Sequence, residues 1–262
     1  MPRGTKPPRR AAPRPLLPPA LRARAAVLVT GCAAVTASLA VAFAGSARPG
    51  ALDAAVDAHV RSGLGRYAEP LQRLAGLGGL GPVTVLTAAL VLACLATRRW
   101  RGAALAGLAV PAAVALTEFV LKPLVGRTIR GYPSFPSGHA TALFALAATC
   151  AVLLAGPVRP RVPGAVRLLL ALGAALVAAA VAIAMVALGY HYFTDTVAGT
   201  AVGAGMALLT ALLIDWGARS LRAGRPLRHP GGAPAASPHD PRSRTGHLVA
   251  REAPRRAGGP GT

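Results

Sequence analysis

With 262 residues, 53% of them hydrophobic, and a mean hydropathy of +0.50, the chain has the composition of a membrane protein and not of a soluble domain. Its formal charge of +21 would suit nucleic acid, but the basic residues are not interleaved with stacking aromatics and fall mostly in tails and short loops, so no nucleic-acid partner is expected. The three cysteines, Cys32, Cys94 and Cys150, all lie in apolar runs where a thiol behaves as a small hydrophobe, and no disulfide framework is expected.

Residues 1–24 are rich in Pro, Arg and Ala without helical periodicity and read as a disordered basic tail. A bilayer core of roughly 30 Å takes about 20 apolar residues as a helix. Six segments qualify, near 25–46, 74–97, 102–121, 140–156, 168–188 and 196–216. Because every backbone polar group in hydrocarbon must be paired internally, these runs predict an all-α, six-helix transmembrane bundle over residues 25–216. Ala42-Phe43-Ala44 at the end of the first run resembles a signal cleavage site, but the run is long for a signal and its removal would leave five helices. Residues 51–62, with Asp53, Asp57, His59 and Arg61 among alanines and valines, read as a short helix lying on the surface. Gly199 and Gly203 form a small-xxx-small pair in the sixth segment, suited to close helix packing. Residues 217–262 repeat the composition of the first tail and read as a second disordered basic tail.

Of the 29 lysines and arginines, 22 fall in the two tails and in loops two and four. That side is expected to be cytoplasmic, with both termini inside and loops one, three and five outside. Tyr67, Tyr132, Tyr190 and Tyr192 then mark the outer boundary, and Trp100 and Trp216 the inner one.

Loops three and five carry most of the remaining polar groups. Loop three runs from Lys122 through Arg127 and Arg130 to Pro136-Ser137-Gly138-His139, and loop five runs from Gly189 through His191 to Asp195. Taken singly, each group has an ordinary reading: Lys122 pairs with Glu118 one turn back, Thr194 or Asp195 caps the next helix, and Pro136-Ser137-Gly138 is a turn. Together they supply cations, two imidazoles, a hydroxyl and a carboxylate on one side of the membrane. That is the equipment of phosphoryl transfer, which rests on positioning and electrostatics.

These residues resemble the type 2 phosphatidic acid phosphatase superfamily, whose motifs are Lys-x6-Arg-Pro, Pro-Ser-Gly-His and Ser-Arg-x5-His-x3-Asp. The second motif is complete at Pro136-Ser137-Gly138-His139, and the third ends as His191-x3-Asp195. Two positions depart. Arg127 stands five residues after Lys122 with no following proline, and Met185 occupies the arginine position of the third motif, with Ala184 before it. The resemblance covers roughly residues 25–216 and implies a phosphatase/haloperoxidase-like helical core in a multi-pass plasma-membrane protein, its active site facing outside. It implies His191 as nucleophile, Asp195 as the group that orients it and His139 as the acid for the leaving oxygen. Lys122, Arg127, Ser137 and Gly138 would bind phosphate, with Arg130 as an alternative to Arg127. The substrate would be a lipid phosphate or pyrophosphate, isoprenoid or glycerolipid, with no cofactor and no metal. Three other readings remain: a zinc site built from the two histidines and Asp195, a phosphotransferase, and a catalytically silent binder of lipid phosphate. A transporter would need ionisable groups deep in the spans, where only Glu118 is available.

Overall fold

The computed structural model describes residues 15–156 and 162–223. Residues 1–14, 157–161 and 224–262, with most of both expected tails and with Arg159 and Arg161, lie outside the described residues. In chain order the helices are α1 (Pro19–Phe43), α2 (Ala51–Leu64), α3 (Ala68–Gly76), α4 (Leu80–Ala96) and α5 (Trp100–Ala115). A π-helical segment (Leu116–Leu121) leads into α6 (Lys122–Val125). A hairpin of β1 (Thr128–Ile129) and β2 (Tyr132–Pro133) follows, then α7 (Gly138–Ala155), α8 (Gly164–Ala187) and α9 (Phe193–Ala223). Apart from that hairpin the described residues are all-α.

Five helical stretches are long and apolar enough to cross a membrane: α1, Trp100–Val125, α7, α8 and α9. The expected second span, 74–97, is broken. Gly76, Gly78 and Gly79 disfavour helix, and the amides of Leu77, Gly78 and Gly79 turn back to carbonyls three residues earlier. Helix α4 therefore has 17 residues, and it meets the span criterion only jointly with Ala51–Gly76 across a bend of 41°.

The expected tail boundaries also move. Helix α1 starts at Pro19 instead of residue 25, with proline in the first turn, where its missing N–H costs nothing. Ahead of it, Leu16 and Leu17 are buried, and their amides donate to the two carboxylate oxygens of Asp215 at 2.9 and 3.0 Å. Arg101 approaches the same carboxylate at 3.7 Å. At the other terminus α9 continues past residue 216 to Ala223.

Helices α7 and α9 pack at the centre of the bundle. A Cβ on Gly199 would stand 2.5 Å from the Ser137 carbonyl, and one on Gly203 would collide with the Thr141 carbonyl, so both glycines of the expected pair lie directly on the α7 backbone. Large apolar side chains point away from the bundle instead, among them Val27, Leu28, Leu168, Leu169 and Leu176. An apolar exterior of this extent suits lipid as the surrounding solvent.

Candidate active site

The site lies at the end of the bundle where α5 gives way to loop three and α8 to loop five. The π segment widens the helix by one residue per turn, a form that is rare and often functional. It presents Glu118, and the following turn presents Lys122, whose ammonium donates to Glu118 Oε2 at 2.7 Å. Gly126, at φ +64°, ends α6 in the left-handed conformation that glycine tolerates. The chain then forms a two-residue hairpin turn in which Arg130 (φ +51°) and Gly131 (φ +82°) both have positive φ, the geometry that matches the twist of the flanking strands. Arg130 is thereby carried at the tip.

A cavity of about 740 Å³ opens here. Its polar wall is made by Glu118, Lys122, Arg130, Gly138, His139 and His191, and its apolar wall by Leu80, Val83, Val114, Phe119 and Ala142. Lys122, Gly138, His139 and His191, four of the residues singled out from the sequence, therefore share one cavity. Arg130 shares it too; Arg127, Ser137 and Asp195 do not line it.

His191 is held by a neighbour the sequence did not indicate. Its Nδ1 lies 2.8 Å from the Ser134 carbonyl oxygen, whereas Asp195 Oδ2 is 3.7 Å away. A carbonyl only accepts, so Nδ1 carries the proton and Nε2 keeps its lone pair. Ser134 is thus the nearer partner of Nδ1, and Asp195 stands beside it at ion-pair distance while its oxygens also serve other donors. Its Oδ2 accepts the Tyr192 amide at 3.0 Å, which caps α9, and its Oδ1 accepts Arg127 at 2.6 Å. The Met185 carbonyl accepts the amides of Tyr190 at 3.0 Å and His191 at 3.4 Å, while its side chain packs in the core beside Val181 and Ala184.

Arg127 lies apart from the cavity residues. Its guanidinium is wholly buried and does not face the cavity. Nη1 donates to Thr194 Oγ1 at 2.7 Å and to Asp195 Oδ1, Nη2 donates to Asp53 Oδ2 at 2.6 Å, and the group is sandwiched between the rings of Phe43 (3.8 Å) and Tyr192 (4.4 Å). Both terminal nitrogens are therefore occupied by protein, and it is Arg130 that faces the cavity. Tyr192, expected at the membrane boundary, is buried for the same reason, as the second slice of this stack.

Helix α2 completes the arrangement. Asp53 and Asp57, one turn apart, are buried, and they accept the Thr194 and Phe193 amides at 2.8 and 3.1 Å. They so satisfy the open N–H groups of the first turn of α9 and place negative charge at its positive end. Burial pushes the Asp53 carboxyl up, but the Thr194 amide, the Arg127 guanidinium, the Thr194 hydroxyl and the Gly50 amide together hold it below the usual carboxylate value. Asp57 stays above that value, because burial outweighs the Phe193 amide and the Arg61 charge. These two carboxylates were absent from the expected site. Their spacing and their isolation in an Ala/Val-rich helix were the available signal.

Ser137, expected to bind phosphate, is also wholly buried. It caps α7 through its side chain, which accepts the Ala140 amide at 3.5 Å, and its own amide donates to the Asp195 carbonyl at 2.9 Å. That amide joins loop three to loop five. Gly138 follows it at the first position of α7, close enough to Glu118 that a Cβ would stand 2.5 Å from Oε1. His139 lies against Gly78 in the α3–α4 turn, where a Cβ would be 2.8 Å from its ring. Among the described residues no three His, Cys, Asp or Glu side chains are grouped to hold a metal ion.

A family model described as the PAP2 superfamily matches residues 115–219, from the last turn of α5 into α9, a stretch that carries Lys122, His139, His191 and Asp195. No curated protein and no solved structure gives a significant match to the chain. The two loops that build the cavity wall fall wholly inside the matched stretch, so the chain is similar to the PAP2 superfamily over the residues that make the site.

Proposed function

We propose that the chain is an integral membrane phosphatase that hydrolyses a lipid phosphate or pyrophosphate, isoprenoid or glycerolipid, through a phosphohistidine at His191 on the extracytoplasmic face. The observation that carries this reading is the shared cavity. His191, with Nδ1 held by Ser134, stands in it beside His139, Lys122, Arg130 and the N-terminus of α7.

In the first step His191 Nε2 attacks phosphorus, the bond from phosphorus to the lipid oxygen breaks, and His139 gives its proton to that oxygen. In the second step water attacks phosphorus, its proton passes to His139, the P–N bond breaks, and phosphate leaves. Lys122, Arg130 and the open amides at the start of α7 hold the phosphoryl oxygens. Asp195, 3.7 Å from Nδ1, favours the positive imidazole that the first step creates. The apolar wall, with Leu80 and Phe119 strongly exposed at its edge, suits a substrate whose tail stays in the bilayer.

A silent lipid-phosphate binder is the second reading. It is favoured by Glu118, which pairs with Lys122 at 2.7 Å inside the cavity and so competes with substrate for that cation. Phosphate release from a panel of isoprenoid and glycerolipid phosphates by purified protein in detergent, with His191→Ala in parallel, separates the two. Turnover that His191→Ala abolishes supports the enzyme, and a flat panel supports the binder.

A further inference from the structure

Asp53, Asp57 and Arg61 follow one another at four-residue intervals and form a single stripe along α2. The first two end in the anchor beneath loop five. The third reaches its flank: Arg61 Nε donates to the Val186 carbonyl at 3.3 Å, and Nη2 donates to Asp57 Oδ2 at 3.3 Å. Its Nη1 has no protein partner among the described residues, and its side chain is 43% exposed, so solvent reaches it at the rim, behind Gly189 of the cavity wall.

Arg61 is not alone there. At Gly189, two residues before His191, a Cβ would stand 3.8 Å from Arg61 Cζ and 3.2 Å from Arg130 Nη2. Two guanidinium groups therefore converge on one glycine of the cavity wall. Arg130 makes no hydrogen bond or ion pair among the described residues, and Asp57 answers only one of the two charges. Like charges this close repel, and a shared anion removes the repulsion while gaining charge-assisted hydrogen bonds from both.

We propose that Arg61, from a helix outside the family-matched stretch, is a substrate-binding residue that grips phosphoryl oxygens together with Arg130 across Gly189. The proposal rests on the phosphatase reading for its substrate but not for its binding chemistry. Glycine at 189 is needed twice over: its φ is +70°, and any side chain would meet Arg130. Helix α2 thus holds loop five with two carboxylates and completes the anion seat with a cation.

The test compares wild type with Arg61→Gln, Arg61→Lys and Asp57→Asn. Two quantities are measured: KM and kcat on a lipid monophosphate, and the rise in thermal midpoint that inorganic phosphate produces. Arg61→Gln is expected to raise KM and to weaken phosphate binding about tenfold or more, with a smaller change in kcat, and Arg61→Lys to restore part of both. Asp57→Asn keeps an acceptor for the Phe193 amide and frees the guanidinium, so phosphate binding should be unchanged or tighter. Equal losses in Arg61→Gln and Asp57→Asn would make Arg61 only the ion-pair partner of Asp57 and overturn the proposal. So would unchanged phosphate binding in Arg61→Gln. A wild type without turnover that phosphate still stabilises through Arg61 would overturn the phosphatase reading alone. A wild type that does neither overturns both.

Discussion

Arg127 and Asp53 meet at 2.6 Å, both wholly buried, and that pair ties a helix near the start of the chain to loop three. Arg127 Nη1 bonds Thr194 and Asp195 on α9, so its guanidinium is the hub of one network that spans α2, loop three and loop five. Removing Asp53 leaves a buried charge partly unanswered, which costs about 3–5 kcal/mol. Asp53→Ala is therefore expected to lower the thermal midpoint strongly and to abolish turnover. A stable and active Asp53→Ala would mean that the network does not hold the site.

The same pair sets a pH dependence. Asp53 has a folded-state value below the ordinary one, so its contribution to stability is complete above the unfolded value, about pH 4, and is lost as pH falls through the lowered folded value. The stability gap between wild type and Asp53→Asn should be constant at neutral pH and should shrink as the solution is acidified below about pH 4. Thermal unfolding of both proteins across that range checks the sign. A gap that widens on acidification contradicts the assignment.

Gly78 tests how closely His139 must be placed. Because an added Cβ would stand 2.8 Å from the imidazole, Gly78→Ala must displace the ring. A misplacement of about 1 Å at a catalytic group can cost on the order of a hundredfold. Gly78→Ala should remain folded, since the turn has ordinary φ at this position, yet lose about 10- to 100-fold in kcat. Unchanged kcat would remove His139 from the reaction.

Gly203→Ala addresses the scaffold. Its new methyl would be driven into the Thr141 carbonyl, pushing α9 off α7 at an expected cost of about 1–3 kcal/mol, visible as a lower thermal midpoint. The loss should be larger than for Gly173→Ala, where nothing lies within 4 Å of an added Cβ. Equal midpoints for the two variants would refute the packing argument.

Phosphate release is expected to survive chelator. Both Asp195 oxygens are engaged by Arg127 and Tyr192, and His191 Nδ1 is engaged by Ser134, so the two histidines and Asp195 are not free to gather round an ion. Activity lost in chelator and restored by zinc would reverse this.

The sequence disclosed the spans because a bilayer demands long apolar runs, and it disclosed the cavity histidines because short motifs mark His139 in the first turn of α7 and His191 in the loop just ahead of α9. It did not disclose which arginine faces the cavity. Arg127 and Arg130 lie three residues apart in one loop, and only the left-handed turn at Gly126 and the two-residue hairpin send one inward to the carboxylates and the other to the cavity. The role of Ser134 was hidden for a similar reason, since a backbone carbonyl has no signature in sequence. Residues 51–62 were readable as a helix, but not that its acidic stripe faces inward, because Arg127, Thr194 and the Phe193 amide, which draw it inward, come from more than 70 residues away. The break at Gly76–Gly79 was foreshadowed by its glycines, which an unbroken hydropathy window passes over.

The most direct test of the central claim is to quench turnover of a phosphorus-labelled lipid phosphate in alkali, where phosphohistidine survives, and to locate the label by peptide mass spectrometry. The account predicts label on His191 in wild type, with neither label nor phosphate release in His191→Ala. Phosphate release at the wild-type rate from His191→Ala, or a label on another residue, would contradict it.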